Sequence, residues 1–275
     1  MHKLEQLYNN ASKRLNHDID IIIQAFINYY GINNSEYITN RLKNSRIIWF
    51  DDNSVRSNNI YNHIISSIPK EELDIILKQR NELAFIQSTY IVELDILVLP
   101  LSYDLTQIIH ELNHKIGSHT ISNNPLLQIS GISYYVEKYK IVTYDNELNE
   151  IINQKITIEI IKILREMGLN IDISPSWQEL LFPLINYFYD NFKNSIKDVI
   201  ITGDLLKFKK SLGEEYYEEF SQKILLSFYK YKKNLGIKEI ISFPKEKINS
   251  INELVENMKI HNETLSSTTR KSGVR

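Results

Sequence analysis

The chain has 275 residues, of which 43% are hydrophobic and 24% charged, enough for a full hydrophobic core and unlike the composition of a disordered segment. Its 32 basic and 34 acidic side chains leave a net charge of −2, too weak a field to gather DNA, RNA or anionic lipid, so neither a nucleic-acid nor a membrane partner is expected. Cysteine is absent, which excludes disulfides, thiolate metal sites and a cysteine nucleophile; any metal must be held by imidazoles and carboxylates.

Along residues 3–30 apolar side chains recur at three- and four-residue steps from Leu4 to Tyr30, the pattern of a helix with one buried stripe, and Gly31 ends it. The scattered charges of this N-terminal stretch do not make a secretory signal. A helix is expected over residues 35–43, a short apolar run over 47–50, a polar turn at DDNS, further helix over 60–65, and another helix from Pro69 to about residue 83. Residues 85–99 are rich in Ile, Val and Tyr and predict one or two strands closed by Pro100. Glu93 and Asp95 interrupt this apolar segment, so it is too broken to span a bilayer. The expectation is a cytoplasmic chain, with release by a route that needs no signal left open.

Ser102 or Asp104 is expected to cap a helix that ends at Gly117, and residues 118–144 predict a strand or hairpin. A long helix follows from Asp145 to Gly168. Beyond Pro175 the pattern is helical over 177–200, with a kink at Pro183, then over 202–211, 214–232 and 249–261; the small polar residues 262–275 are expected to form a disordered tail. The whole reads as an α+β chain, predominantly helical. Its expected regions are an N-terminal helical segment over 1–84, a core over 85–170 and a C-terminal helical segment over 171–261, in one compact unit.

The chemistry sits in TQIIHELNHKIGSHT. His110 and His114 lie four apart, so on a helix their imidazoles leave the same face one turn apart, a geometry that suits one zinc ion. Glu111 points roughly 100° round the axis, off the metal and within reach of a metal-held water. A bare His-Glu-x-x-His arises by chance in about one chain of this length per hundred, and a solvated helix face carrying these residues is the competing reading. The third ligand has two candidate sources. The pattern HExxHxxGxxH has Gly117 in place but puts Thr120 where the third His belongs, with His119 one residue early. The alternative is a carboxylate from the next long helix, Glu150 or Glu147, and Glu150 is preferred.

In His110-Glu111-Leu112-Asn113-His114 together with Leu148-Asn149-Glu150, the sequence resembles the gluzincin-type zincin metallopeptidases. The resemblance covers about residues 85–165. It implies a zincin-like core with a small mixed or antiparallel sheet beside the motif helix, one Zn2+ per chain on His110, His114 and Glu150, and Glu111 as general base. The implied activity is hydrolysis of a peptide or protein substrate, with a non-peptide amide, or a catalytically silent binding or sensor module, as alternatives. Glu147 or His119 would be a supporting partner or replacement ligand, and Tyr134 or Tyr135 an oxyanion donor. Lys115 stands where the extended zincin pattern is usually uncharged. The block WQELLFPLINYFY, residues 177–189, reads as core or as a groove lining.

Overall fold

A computed structural model describes residues 2–51, 64–66, 68–71, 73–74, 88–121, 124–136, 141–142, 145–233 and 243–272. Most of the described residues are helical, and two small four-stranded sheets complete an α+β fold. The chain divides into two compact units, residues 1–116 with 156–174 and residues 117–155 with 175–275, which interleave along the sequence.

In the first unit, helix α1 (His2–Tyr30) buries Ala11, Leu15, Ile22, Phe26 and Tyr30, one stripe of the pattern expected from the sequence. Helix α2 (Ser35–Lys43) packs beside it. Strands β1 (Arg46–Phe50), β2 (Ile64–Ser66), β3 (Thr89–Ile91) and β4 (Ile96–Pro100) form a mixed sheet in the order β2-β1-β4-β3, with β1 and β4 parallel and the outer pairs antiparallel. β4 is central and buried along its whole length, which explains its unbroken apolar run. Ile48, Phe50, Ile91, Ile96 and Val98 pack with Ile68 into one cluster.

Residues 64–66 correct the helix expected over 60–65. Ile64 and Ile65 are β-branched and pair with Phe50 and Trp49 across the sheet, an environment that overrides a local helical reading; residues 60–63 lie outside the described residues, as does the expected helix beyond residue 74. Helix α3 (Leu105–Ile116) carries the His-Glu-x-x-His motif and packs on β3, β4 and α2. The mixed sheet therefore lies beside the motif helix.

In the second unit, β5 (Ser118–Ile121), β6 (Asn124–Ser130), β7 (Ser133–Val136) and β8 (Ile141–Val142) form an antiparallel meander, richer than the single strand or hairpin expected there. Helix α4 (Asn146–Glu166) begins in this unit and ends in the first. Helices α5 (Phe182–Thr202), α6 (Leu205–Leu212), α7 (Glu214–Lys233) and α8 (Lys245–Ser272) follow. Pro183 does not kink a helix: α5 starts at Phe182, so Pro183 falls in the first turn, where its missing N–H costs nothing. The aromatic block beside it is mostly core. Leu181, Leu184, Ile185, Phe188 and Tyr189 are buried, and Phe188 stacks on Phe220 at 4.5 Å, although Trp177 stays partly exposed.

The tail is a second correction. α8 continues through Ser272 because its small polar residues serve the helix: the hydroxyls of Thr264, Ser266 and Thr268 donate to the carbonyls of Ile260, Asn262 and Thr264, and Asn262 Nδ2 donates to Ser211 O at 3.1 Å.

The start of α4 is fixed twice. Buried Asp145 accepts from Lys209 Nζ at 2.5 Å and from Ser221 Oγ at 2.7 Å; deleting one partner of such a pair costs about 3–5 kcal/mol. Four residues on, buried Asn149 accepts from Ile132 N at 3.1 Å through Oδ1 and lies over the β6–β7 turn. Gly131 in that turn has φ +60, and a Cβ there would stand 2.2 Å from Asn149 Oδ1. Gly131→Ala is therefore expected to lower unfolding stability by about 1–3 kcal/mol, read as a shifted urea midpoint. Adding Asn149→Ala should cost less than the sum of the two single losses; strict additivity would show that the two residues do not act on each other.

Candidate metal centre

Helix α3 is capped as the sequence suggests. Asp104 Oδ1 accepts from the backbone N–H groups of Thr106 at 2.9 Å and Gln107 at 3.2 Å, while Oδ2 accepts from Ser174 Oγ at 2.7 Å. Its apolar stripe, Ile108, Ile109, Leu112 and Ile116, is fully buried, but so are most of its polar residues: His110 is 9% and Glu111 6% exposed. The helix is thus buried nearly all round, more than an amphipathic reading implies.

His110 Nε2 and His114 Nε2 stand 3.2 Å apart, with the two rings nearly perpendicular. Glu150, in the second turn of α4, joins them: His110, His114 and Glu150 each offer a ligand atom, and these atoms lie within 4.8 Å of one another. The donor set fits a divalent ion. Two ligands about 2.0–2.1 Å from a tetrahedral zinc lie about 3.3 Å apart, close to the spacing of the two imidazole nitrogens, and a carboxylate supplies the charge that two neutral imidazoles lack. The group can hold a metal ion; among the described residues no other cluster of His, Asp and Glu has ligand spacing.

The other sequence candidates fall elsewhere. His119 is not in the group: α3 ends at Ile116, so His119 enters strand β5, where its Nε2 meets Ile200 O at 2.7 Å and its ring packs against Gly203. Glu147, one turn before Glu150 on α4, is also not in the group. Tyr134 has its ring under Lys209 Nζ at 5.5 Å, and burial, with the carboxylates of Asp145, Asp204 and Glu214, pushes its hydroxyl above the ordinary range. The side chain of Tyr135 lies outside the described residues.

Around the end of α3 the structure builds a network that sequence reasoning missed. Lys115 is 1% exposed and its Nζ donates to Asp95 Oδ1 at 2.5 Å. Asp95, in the left-handed region at φ 52, also accepts from Tyr90 OH at 2.7 Å. Arg41 donates to Lys115 O from Nε at 3.2 Å and from Nη2 at 2.6 Å, and Nη2 also reaches Tyr90 OH. Tyr37 OH donates to Ile116 O at 2.5 Å, and Tyr30 OH to Asn113 Oδ1 at 2.6 Å. The one sequence signal was Lys115 itself, a charge at a motif position that is usually uncharged.

Burial tends to raise the Asp95 carboxyl, but the hydrogen bonds from Lys115 and Tyr90 outweigh it and hold it below the ordinary carboxylate range. Burial pulls the Lys115 ammonium down, and its bond to Asp95 offsets this only in part. The partners differ because the Lys115 side chain is 2% exposed and that of Asp95 is 48% exposed, so desolvation dominates the first and pairing the second.

No family model matches this chain, and no curated protein or solved structure matches it. Among the described residues no helix is long and apolar enough to cross a membrane.

The Asp95 shift sets a pH dependence. An unfolded aspartate titrates near about 4; with the folded value lower, the stabilisation is complete above that range and is lost as pH falls through the folded value. Asp95→Asn, which tolerates the left-handed backbone, should therefore destabilise more at pH 6 than at pH 3 in urea unfolding. An equal loss at both would show that the carboxylate's charge contributes nothing.

Proposed function

We propose that this protein is a zinc-dependent metallopeptidase of single-metal type. The observation that carries the reading is the convergence of Glu150 on the imidazoles of His110 and His114, since two histidines one turn apart arise by chance far more easily than two histidines with a distant carboxylate beside them. His110, His114 and Glu150 would hold the ion. When bound, such an ion acidifies water toward neutral pH and polarises a carbonyl oxygen.

Glu111 follows His110 directly and so projects roughly 100° round the helix. In this reading it takes a proton from the attacking water as the new C–O bond forms, then delivers it to the leaving nitrogen as the C–N bond breaks. Its burial suits that role, because it keeps bulk water from competing for that proton. A peptide bond is the proposed target on the strength of the resemblance to gluzincins, and the substrate is a peptide or protein.

A second reading is favoured by the same burial. With His110 at 9% and Glu111 at 6% exposure, a closed site with a silent or structural ion is a coherent alternative. Metal analysis and cleavage separate the two. Purified protein should carry about one zinc per chain, lost in His110→Ala and His114→Ala and weakened in Glu150→Ala; unchanged metal in the two histidine variants ends the metal reading. Glu111→Gln should keep its zinc and lose about 10²–10⁴-fold of the rate on a peptide library. Zinc retained with no cleavage in the wild type would favour the silent module.

A further inference from the structure

The last turn of a helix leaves carbonyl groups without intrahelical donors. At the end of α3 two of them, those of Lys115 and Ile116, are taken by side chains of α2: Arg41 bonds the first with two nitrogens and Tyr37 the second with its hydroxyl. Arg41 also places a positive charge at the negative end of the helix dipole. Lys115, on a third side, is tied to Asp95, and Asn113 is tied to Tyr30 of α1. Four restraints from α1, α2 and the turn before β4 therefore meet within residues 113–116, on both sides of His114.

We propose that Arg41 and Tyr37 are positioning residues for the metal centre, clamping the final turn of α3 so that His110 and His114 hold their ligand geometry. The proposal rests on the metal reading of the site. None of the clamp residues is itself in the ligand group; they act on it through the helix backbone. The leverage is large. Helix side chains reach about 5–6 Å from the axis, so a rotation of about 10° moves an imidazole nitrogen by about 1 Å, more than a metal site tolerates. α3 is buried over most of its circumference, and apolar packing is less directional than a hydrogen bond. Directional bonds to its last carbonyls supply the angular restraint.

The test uses cobalt(II) as the probe on the full chain. Its visible bands report ligand geometry, and competition with a chelator gives affinity. Arg41→Ala is expected to bind cobalt about 10–100-fold more weakly with altered visible bands, as loss of a supporting contact around a metal ligand commonly does. Tyr37→Phe, which removes one hydroxyl, should show a smaller loss in the same direction, and Arg41→Lys should recover part of the affinity by restoring one donor. If Arg41→Ala does not fold, Tyr37→Phe and Arg41→Lys decide the matter alone. Variants that lose thermal stability yet keep wild-type cobalt affinity and spectrum overturn the proposal, since a purely structural clamp would behave so. A wild-type chain that binds no cobalt instead overturns the metal reading beneath it.

Discussion

Three lone-pair donors, two imidazole nitrogens and a carboxylate oxygen, are held within 4.8 Å of one another by two helices. Brought together bare, such atoms repel, and burial removes the water that would otherwise screen them. A positive charge can share the space: a metal ion, or protons carried on the imidazoles. A proton can bridge the two nitrogens at 3.2 Å, but it satisfies one pair only. A divalent ion can engage all three at once.

The rest of α3 obeys the same requirement. A helix buried almost all round while carrying His, Glu, Asn and Lys would be costly if those groups lacked partners, at about 1–3 kcal/mol for each unsatisfied polar atom. Partners are supplied from three directions: Tyr30 for Asn113, Asp95 for Lys115, and Glu150 beside the imidazoles. Polar residues that a sequence reader assigns to a solvated face are here part of a dense buried network. That arrangement explains why a lysine is tolerated beside a metal-ligand position: its charge is turned away toward the β3–β4 turn and neutralised there.

What was legible in the sequence was local. The four-residue spacing of His110 and His114 needs only helical periodicity, and α1, α2, α4 and α7 follow from apolar stripes of the same period. The local pattern separates Glu150 only weakly from Glu147; the choice depends on where α4 starts, and there Asp145 is held by Lys209 and Ser221, which are remote in sequence. The parallel pairing of β1 with β4 joins segments more than forty residues apart and leaves no local trace. His119, a candidate by spacing, lies outside the three-residue group because the chain leaves the helix at Gly117. A Cβ at Gly117 would stand 3.1 Å from Gly131 N, so the two glycines allow β5 and the β6–β7 turn to approach closely and carry His119 toward Ile200.

The Asn149 contact over the β6–β7 turn and the candidate ligand Glu150 are linked by covalent adjacency. Asn149 and Glu150 share one helical turn, so the side chain that accepts from Ile132 N fixes the backbone from which the carboxylate projects. Two of the candidate ligands thus lie one turn apart on a single helix, whereas Glu150 stands on α4 beside the residue that bonds the β6–β7 turn. A lone imidazole pair binds divalent ions weakly, and the three donors come together only in the folded chain. For an ion held there, metal affinity would be part of the folding free energy, about 2.7 kcal/mol with free ion at a hundred times its dissociation constant. The contacts that order α4 near its start would consequently tune a metal held there without touching it, just as those at the end of α3 would from the other helix.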